Sequence, residues 1–283
     1  MRSRTLIVMI QLLLAAAMKA QVLHLPQPPA DAVTGRAFAA SIRSLPREAR
    51  EEEIYLQVIT GNLPPFLRHL VPVTVTASIG GDRHKLTYYV LPDYLAIGSD
   101  EDYLLMPVTP ILAQRIADTT RCILPTRKIV DDIYRAAPVK LAPKPIPPTS
   151  AMVTMGVFID HNDSVWQQRV AVLGQFPLGA LVSGDKKDVI ISNDVYSNLK
   201  PSVPRPVVIY GWHRLTGSPI QPLYNGHEET YADYSHGIRL VQRDATLDGQ
   251  AIDLTTILKD STLCVLISDE GIILAPRYEA GDR

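Results

Sequence analysis

The sequence predicts an α+β fold, with helices mainly in the first half and antiparallel strands mainly in the second. Capped segments with helical apolar spacing lie between residues 34 and 137. Short β-branched segments separated by Gly, Asn and Asp turns dominate after residue 180. At 283 residues and 46 % apolar content, the chain has material for one large core or two small ones.

The elements follow in order. Residues 1–20 carry Arg2 and Arg4, an apolar run from Thr5 to Ala17, and small residues with cleavage expected after Ala17 or Ala20. That is the layout of a secretory signal peptide, so a secreted or periplasmic location is expected, with no membrane span after cleavage. Pro26 to Pro29 is an extended leader. Thr34 to Thr60 is helical with a break near Pro46, and Glu48 and Glu51 to Glu53 sit where negative charge suits a helix start. Val71 to Leu105 is β: VPVTVTASI alternates, Gly80–Asp82 turns, and HKLTYYVL returns, with short strands near Tyr94–Ile97 and Tyr103–Met106. Val108 to Thr119 is a helix capped by Thr109, with Pro110 first; Leu124 to Ala137 is another, entered through Pro125–Thr126.

Residues 138–150, PVKLAPKPIPPTS, are extended by their prolines. They separate a lobe at 21–137 from a β-rich lobe at 151–283, or strap across one continuous domain. Asp163 to Leu173 is helical, with His161–Asn162–Asp163 at its cap. Strands are expected at Ala180–Val182, Val189–Ser192, Pro206–Gly211, Ile220–Tyr224, Gly237–Gln242, Thr262–Ser268 and Ile272–Ala275. Turns are expected at Gly184–Asp185, Thr216–Ser218 and Asn225–Gly226.

Charge excludes one class of partner. Loss of residues 1–20 removes Arg2, Arg4 and Lys19, so 28 basic residues less those three leave 25 against 29 acidic. A nucleic-acid partner would require a clustered basic excess. Cys122 and Cys264 make an even pair, which in an exported chain suggests a disulfide.

The chemistry concentrates in Val207 to Val241, which holds His213, His227 and His236 of the seven histidines, with Trp212, Tyr231, Asp233, Tyr234, Ser235 and Arg239. Histidine exchanges protons near neutral pH and is the commonest metal ligand. The spacings of 14 and 9 residues fit no metal motif, so no metal is assigned and the cofactor stays unknown. The run Gly184 to Asp188 reads as a charged hairpin turn whose lysines would suit a carboxylate or phosphate.

Three resemblances bear on function. Ser235-His236-Gly237-Ile238-Arg239-Leu240 resembles the Ser-His-Gly-Cys-x-Arg signature of L,D-transpeptidases, with Ile238 where that family has its nucleophilic cysteine. Cys122 ahead of the helix near Thr126, with His236 on a later strand, is similar to the order in NlpC/P60-type cell-wall peptidases. Arg121-Cys122-Ile123-Leu124 stands in place of their Asp-Cys-Ser-Gly. LPTRKIVDDIY, YGWH and YADYSHGIRLV resemble segments of a group of exported bacterial proteins, and carry no catalytic residue over.

The expectation is a secreted or periplasmic hydrolase acting on cell-wall peptide or glycan. In it His236, His227, His213, Asp233 and Ser235 form the catalytic cluster, and Cys122 or a metal-bound water is the nucleophile. Trp212, Tyr231, Tyr234 and Arg239 would bind substrate. The alternative is a non-enzymatic exported protein that binds a carbohydrate or peptide on those aromatic rings.

Overall fold

A computed structural model describes residues 21–197 and 203–279 of the chain, so the expected signal peptide lies outside the described residues. The fold is α+β, with helices mostly in the first half. The first half comprises α1 (Gly35–Ile42), α2 (Arg47–Ile59), β1 (Val71–Ile79), β2 (Asp82–Val90), β3 (Ala96–Gly98), β4 (Tyr103–Leu105), α3 (Pro110–Thr119), β5 (Cys122–Ile123), α4 (Arg127–Ala136) and β6 (Val139–Lys140). The second half adds α5 (Met155–Val170), β7 (Val182–Ser183), β8 (Lys187–Val189), β9 (Pro206–His213), β10 (Pro219–Glu228), β11 (His236–Gly237), β12 (Val241–Gln242), β13 (Asp244–Leu247), β14 (Gln250–Asp253) and α6 (Leu254–Lys259).

Local chemistry sets the helix starts. The side chains of Thr34, Thr109 and Thr126 each accept from a backbone N–H in the first turn of α1, α3 and α4. The β1–β2 hairpin turns at Gly80–Gly81, both at positive φ.

Two sheets organise the chain. One runs β14-β13-β2-β12-β5, with β1 also paired to β2; the other runs β10-β9-β8-β11. Strands from before and after the proline-rich segment pair directly, since β12 lies between β2 and β5, and the segment's own β6 pairs in parallel with β7. One buried apolar cluster takes in Ile54, Leu86, Ile129, Val208, Ile238 and Leu258, from both halves. No described helix is long and apolar enough to cross a membrane.

Three local expectations are corrected, and one hairpin is added. Helix α5 begins at Met155, and His161 and Asn162 are buried inside it instead of capping it. Asn162 accepts from Leu105 N and donates to Tyr103 O, so its polarity serves a tertiary contact. Residues Leu263–Leu266 form a 3₁₀ turn in place of a strand, because the Asp260 carboxylate accepts from Thr262 N and Leu263 N. Asn225–Gly226 lies within β10, where a Cβ on Gly226 would sit 2.2 Å from the Tyr224 hydroxyl. The β13–β14 hairpin was not expected from the sequence, although its Asp248–Gly249 turn, with φ of 50° and 86°, is a strong hairpin signal.

Candidate functional site

The site is built on the second sheet. Strand β11 pairs in parallel with β8, and His236 stands opposite Lys187. In such a pair the opposed side chains share a face. Lys187 extends over the Trp212 ring, with Nζ 5.0 Å from its centroid. Trp212 has φ of 54°, a left-handed conformation costly for a bulky side chain. Its N–H donates to Lys186 O and its indole N–H to Asp185 O, which hold it there.

Asp233 organises the loop into β11. One of its oxygens accepts from Ser235 N at 2.8 Å and from the Ser235 hydroxyl at 2.5 Å; the other accepts from the Tyr231 hydroxyl at 3.1 Å. Burial works to raise Asp233, but His236, Ser235 and Lys187 outweigh it and hold the carboxyl below its ordinary value. His236 is 1 % exposed, and neither ring nitrogen has a hydrogen-bond partner among the described residues. Burial pushes its pKa down to about 4, with Asp233 opposing, so the imidazole is neutral at pH 7. Tyr231 lies edge-on to His236 at 5.8 Å and stacks on His227 at 4.1 Å. It also lines a cleft of about 370 Å³ with Arg47, Arg50 and Val153.

Of the expected residues, the structure therefore brings together His236, Asp233, Ser235, Tyr231 and, behind Tyr231, His227. His213 lies elsewhere: it is 3.0 Å from Asp131 and stacked on Tyr134 of α4. In the β9–β10 hairpin His213 pairs with Pro219 and His227 with Val207, at opposite ends. Six residues of strand separate those ends by about 20 Å. Among the described residues, no three His, Cys, Asp or Glu side chains converge as a metal-binding set. Trp212 and Tyr234 are buried, so they offer no stacking surface. Arg239 is fully buried and donates to Leu91 O and Val182 O, leaving its charge facing the core.

Cys122 is in β5, on the other sheet, and its thiol donates to Thr120 O. Burial pushes it up to about 12, the reverse of what a thiolate nucleophile requires. Both cysteines are free and buried. The native protein is accordingly expected to resist thiol alkylation and to take two alkyl groups once unfolded. Mass spectrometry checks this, and a modification at Cys122 in the folded state would contradict its burial.

Sequence reasoning missed a second set of charges beneath the site. Asp185, Lys186 and Asp188 are buried, not exposed in a turn, as are Asp93 and Arg239. Burial, with Asp93 adjacent, pushes Asp185 up to about 7; burial also pushes Lys186 down to about 8 against the pull of Asp185. Asp188 rises to about 6 through burial, against Arg239, and accepts from the Tyr94 hydroxyl. The visible signal was four consecutive charges running straight into the apolar strand residues Val189 to Ile191.

Comparison of the chain with family models, curated proteins and solved structures finds no match.

Proposed function

We propose that this chain is an exported hydrolase acting on cell-wall peptide, with His236 as general base. One observation carries the reading: a buried neutral imidazole with both nitrogens unpartnered, beside Asp233 and Lys187. Leaving such polar atoms unpaired costs about 1–3 kcal/mol, which packing alone gives no reason to retain. Clustered perturbed titratable groups beside a strained backbone are a mark of active sites.

The proposal gives each residue a role. The free imidazole nitrogen would take a proton from a water that attacks the scissile carbonyl. Lys187 supplies a positive charge on the same face for the oxyanion that develops. Asp233, with its ties to Ser235 and Tyr231, fixes the loop that presents His236. Arg47 and Arg50 at the cleft suit the free carboxylates of wall peptides. Residues 1–20 support export. Cys122 has no part in this scheme, because its thiol is on the other sheet and strongly disfavours ionisation.

Release of soluble fragments from labelled peptidoglycan sacculi tests the reading. His236→Leu is expected to lower the rate at least about 100-fold. Its melting temperature should stay level or rise, because two unpaired polar atoms are removed. No release by the unaltered protein, or release that survives the substitution, would reject the proposal.

A further inference from the structure

A second cleft, of about 340 Å³, opens on the other side of the Tyr234 loop, between the proline-rich strap and α5. Its apolar wall is Pro145, Ile146 and Val157, with Lys144 and Asp160 among its exposed lining residues. His161 lines it from α5, is 3 % exposed, and has no partner for Nε2 among the described residues.

The protonation of that ring is set by its neighbour. Lys186 Nζ lies 3.2 Å from His161 Nδ1 and 2.6 Å from Tyr234 O. An ammonium only donates, so Nδ1 accepts and the ring hydrogen sits on Nε2. Burial, then Lys186, pushes His161 down to about 2, so the ring stays neutral. The cleft thus holds an unsatisfied N–H donor, polarised by the lysine charge on the far side of the ring.

We propose that this cleft binds a small aliphatic carboxylate, whose charged end takes the His161 Nε2–H and whose body packs on Pro145, Ile146 and Val157. The donor calls for an acceptor and the apolar wall selects an aliphatic chain; the Lys186 ammonium, offset in part by Asp185, Asp233 and Asp93, adds only a small pull on an anion. Lys144 adds an exposed positive charge. Asp160 is exposed and solvated, so it opposes the anion only weakly. The volume lies at the lower end of small-molecule sites. The strap is tied down by Leu141 N to Ser183 O, by the Ala142–Gln168 pair and by Ile146 N to the Tyr234 hydroxyl, and its prolines contribute no N–H groups of their own to the cleft. This site is separate from the His236 face, and its test reads binding without reference to hydrolysis.

Isothermal titration calorimetry with 4-methylpentanoate and its uncharged amide, 4-methylpentanamide, is the experiment. The carboxylate is expected to bind at least about 10-fold more tightly, the loss expected for a charge-assisted hydrogen bond made neutral. Val157→Trp, which fills the cleft, should abolish binding while the melting temperature holds. Lys144→Ala, at an exposed position, should weaken it several-fold. Equal affinity for the amide, binding unchanged by Val157→Trp, or no binding at tens of millimolar would each overturn the proposal. Imidazole nitrogen NMR of the unliganded protein gives an independent check, since a hydrogen on Nδ1 of His161 would remove its premise.

Discussion

Replacing Arg239 with methionine is expected to destabilise the protein by about 3–5 kcal/mol, enough to unfold a marginally stable chain. Arg239 has no exposed surface, and its guanidinium donates to Leu91 O at the end of β2 and to Val182 O in β7. It also lies over the Tyr94 ring at 4.1 Å, close to Asp93 and Asp188. Methionine matches its length but supplies no charge. Two carbonyls would lose their donors, and two buried carboxyls would lose their principal counter-charge. Protonation of Asp188, already raised to about 6, would absorb part of that loss at acid pH. The defect should therefore be worst above pH 7. Urea denaturation at two pH values measures it, and a loss below about 1 kcal/mol would show that the carboxyls have other support.

What could be read in the chain divides by range. The Thr34, Thr109 and Thr126 caps are local, since each hydroxyl meets an N–H three residues on, so the helices they open were legible. The loop Asp233-Tyr234-Ser235-His236 was legible for the same reason, its hydrogen bonds spanning two residues. Lys187 was not, because a parallel pairing with no local signature brings it opposite His236. His213 and His227 misled: their proximity in sequence is undone by a hairpin that places them at opposite ends. Charge was the least legible property. Asp185 to Asp188 reads as a solvated turn, whereas Asp93 and Arg239, distant in sequence, allow Asp185, Lys186 and Asp188 to be buried.

The pH dependence of stability offers a test of His236 that requires no substrate. Its folded pKa is about 4, below the roughly 6.5 of an unfolded histidine. Between those values the unfolded chain carries the proton and the native protein does not. The stability linked to this group is fully present above pH 6.5 and is lost as pH falls towards 4. The slope is about 1.4 kcal/mol per pH unit, or about 3 kcal/mol over the window. Asp188 acts in the opposite sense. Its folded pKa of about 6 lies above that of an unfolded aspartate, so its burial favours the native state as pH falls from 6 towards 4. His161, pushed down to about 2, acts with His236, and Asp185, pushed up to about 7, acts with Asp188, so the acid profile of the unaltered protein conceals several opposing contributions. His236→Leu removes one of them. Relative to the unaltered protein, it should gain about 3 kcal/mol between pH 7 and pH 4, with a comparatively constant difference above pH 7. Guanidinium melts of both proteins across that range measure the difference directly. A pH-independent difference would mean that the folded imidazole titrates like a solvated one. In that case the imidazole would be neither buried nor unpartnered, and the case for His236 as the general base would fall.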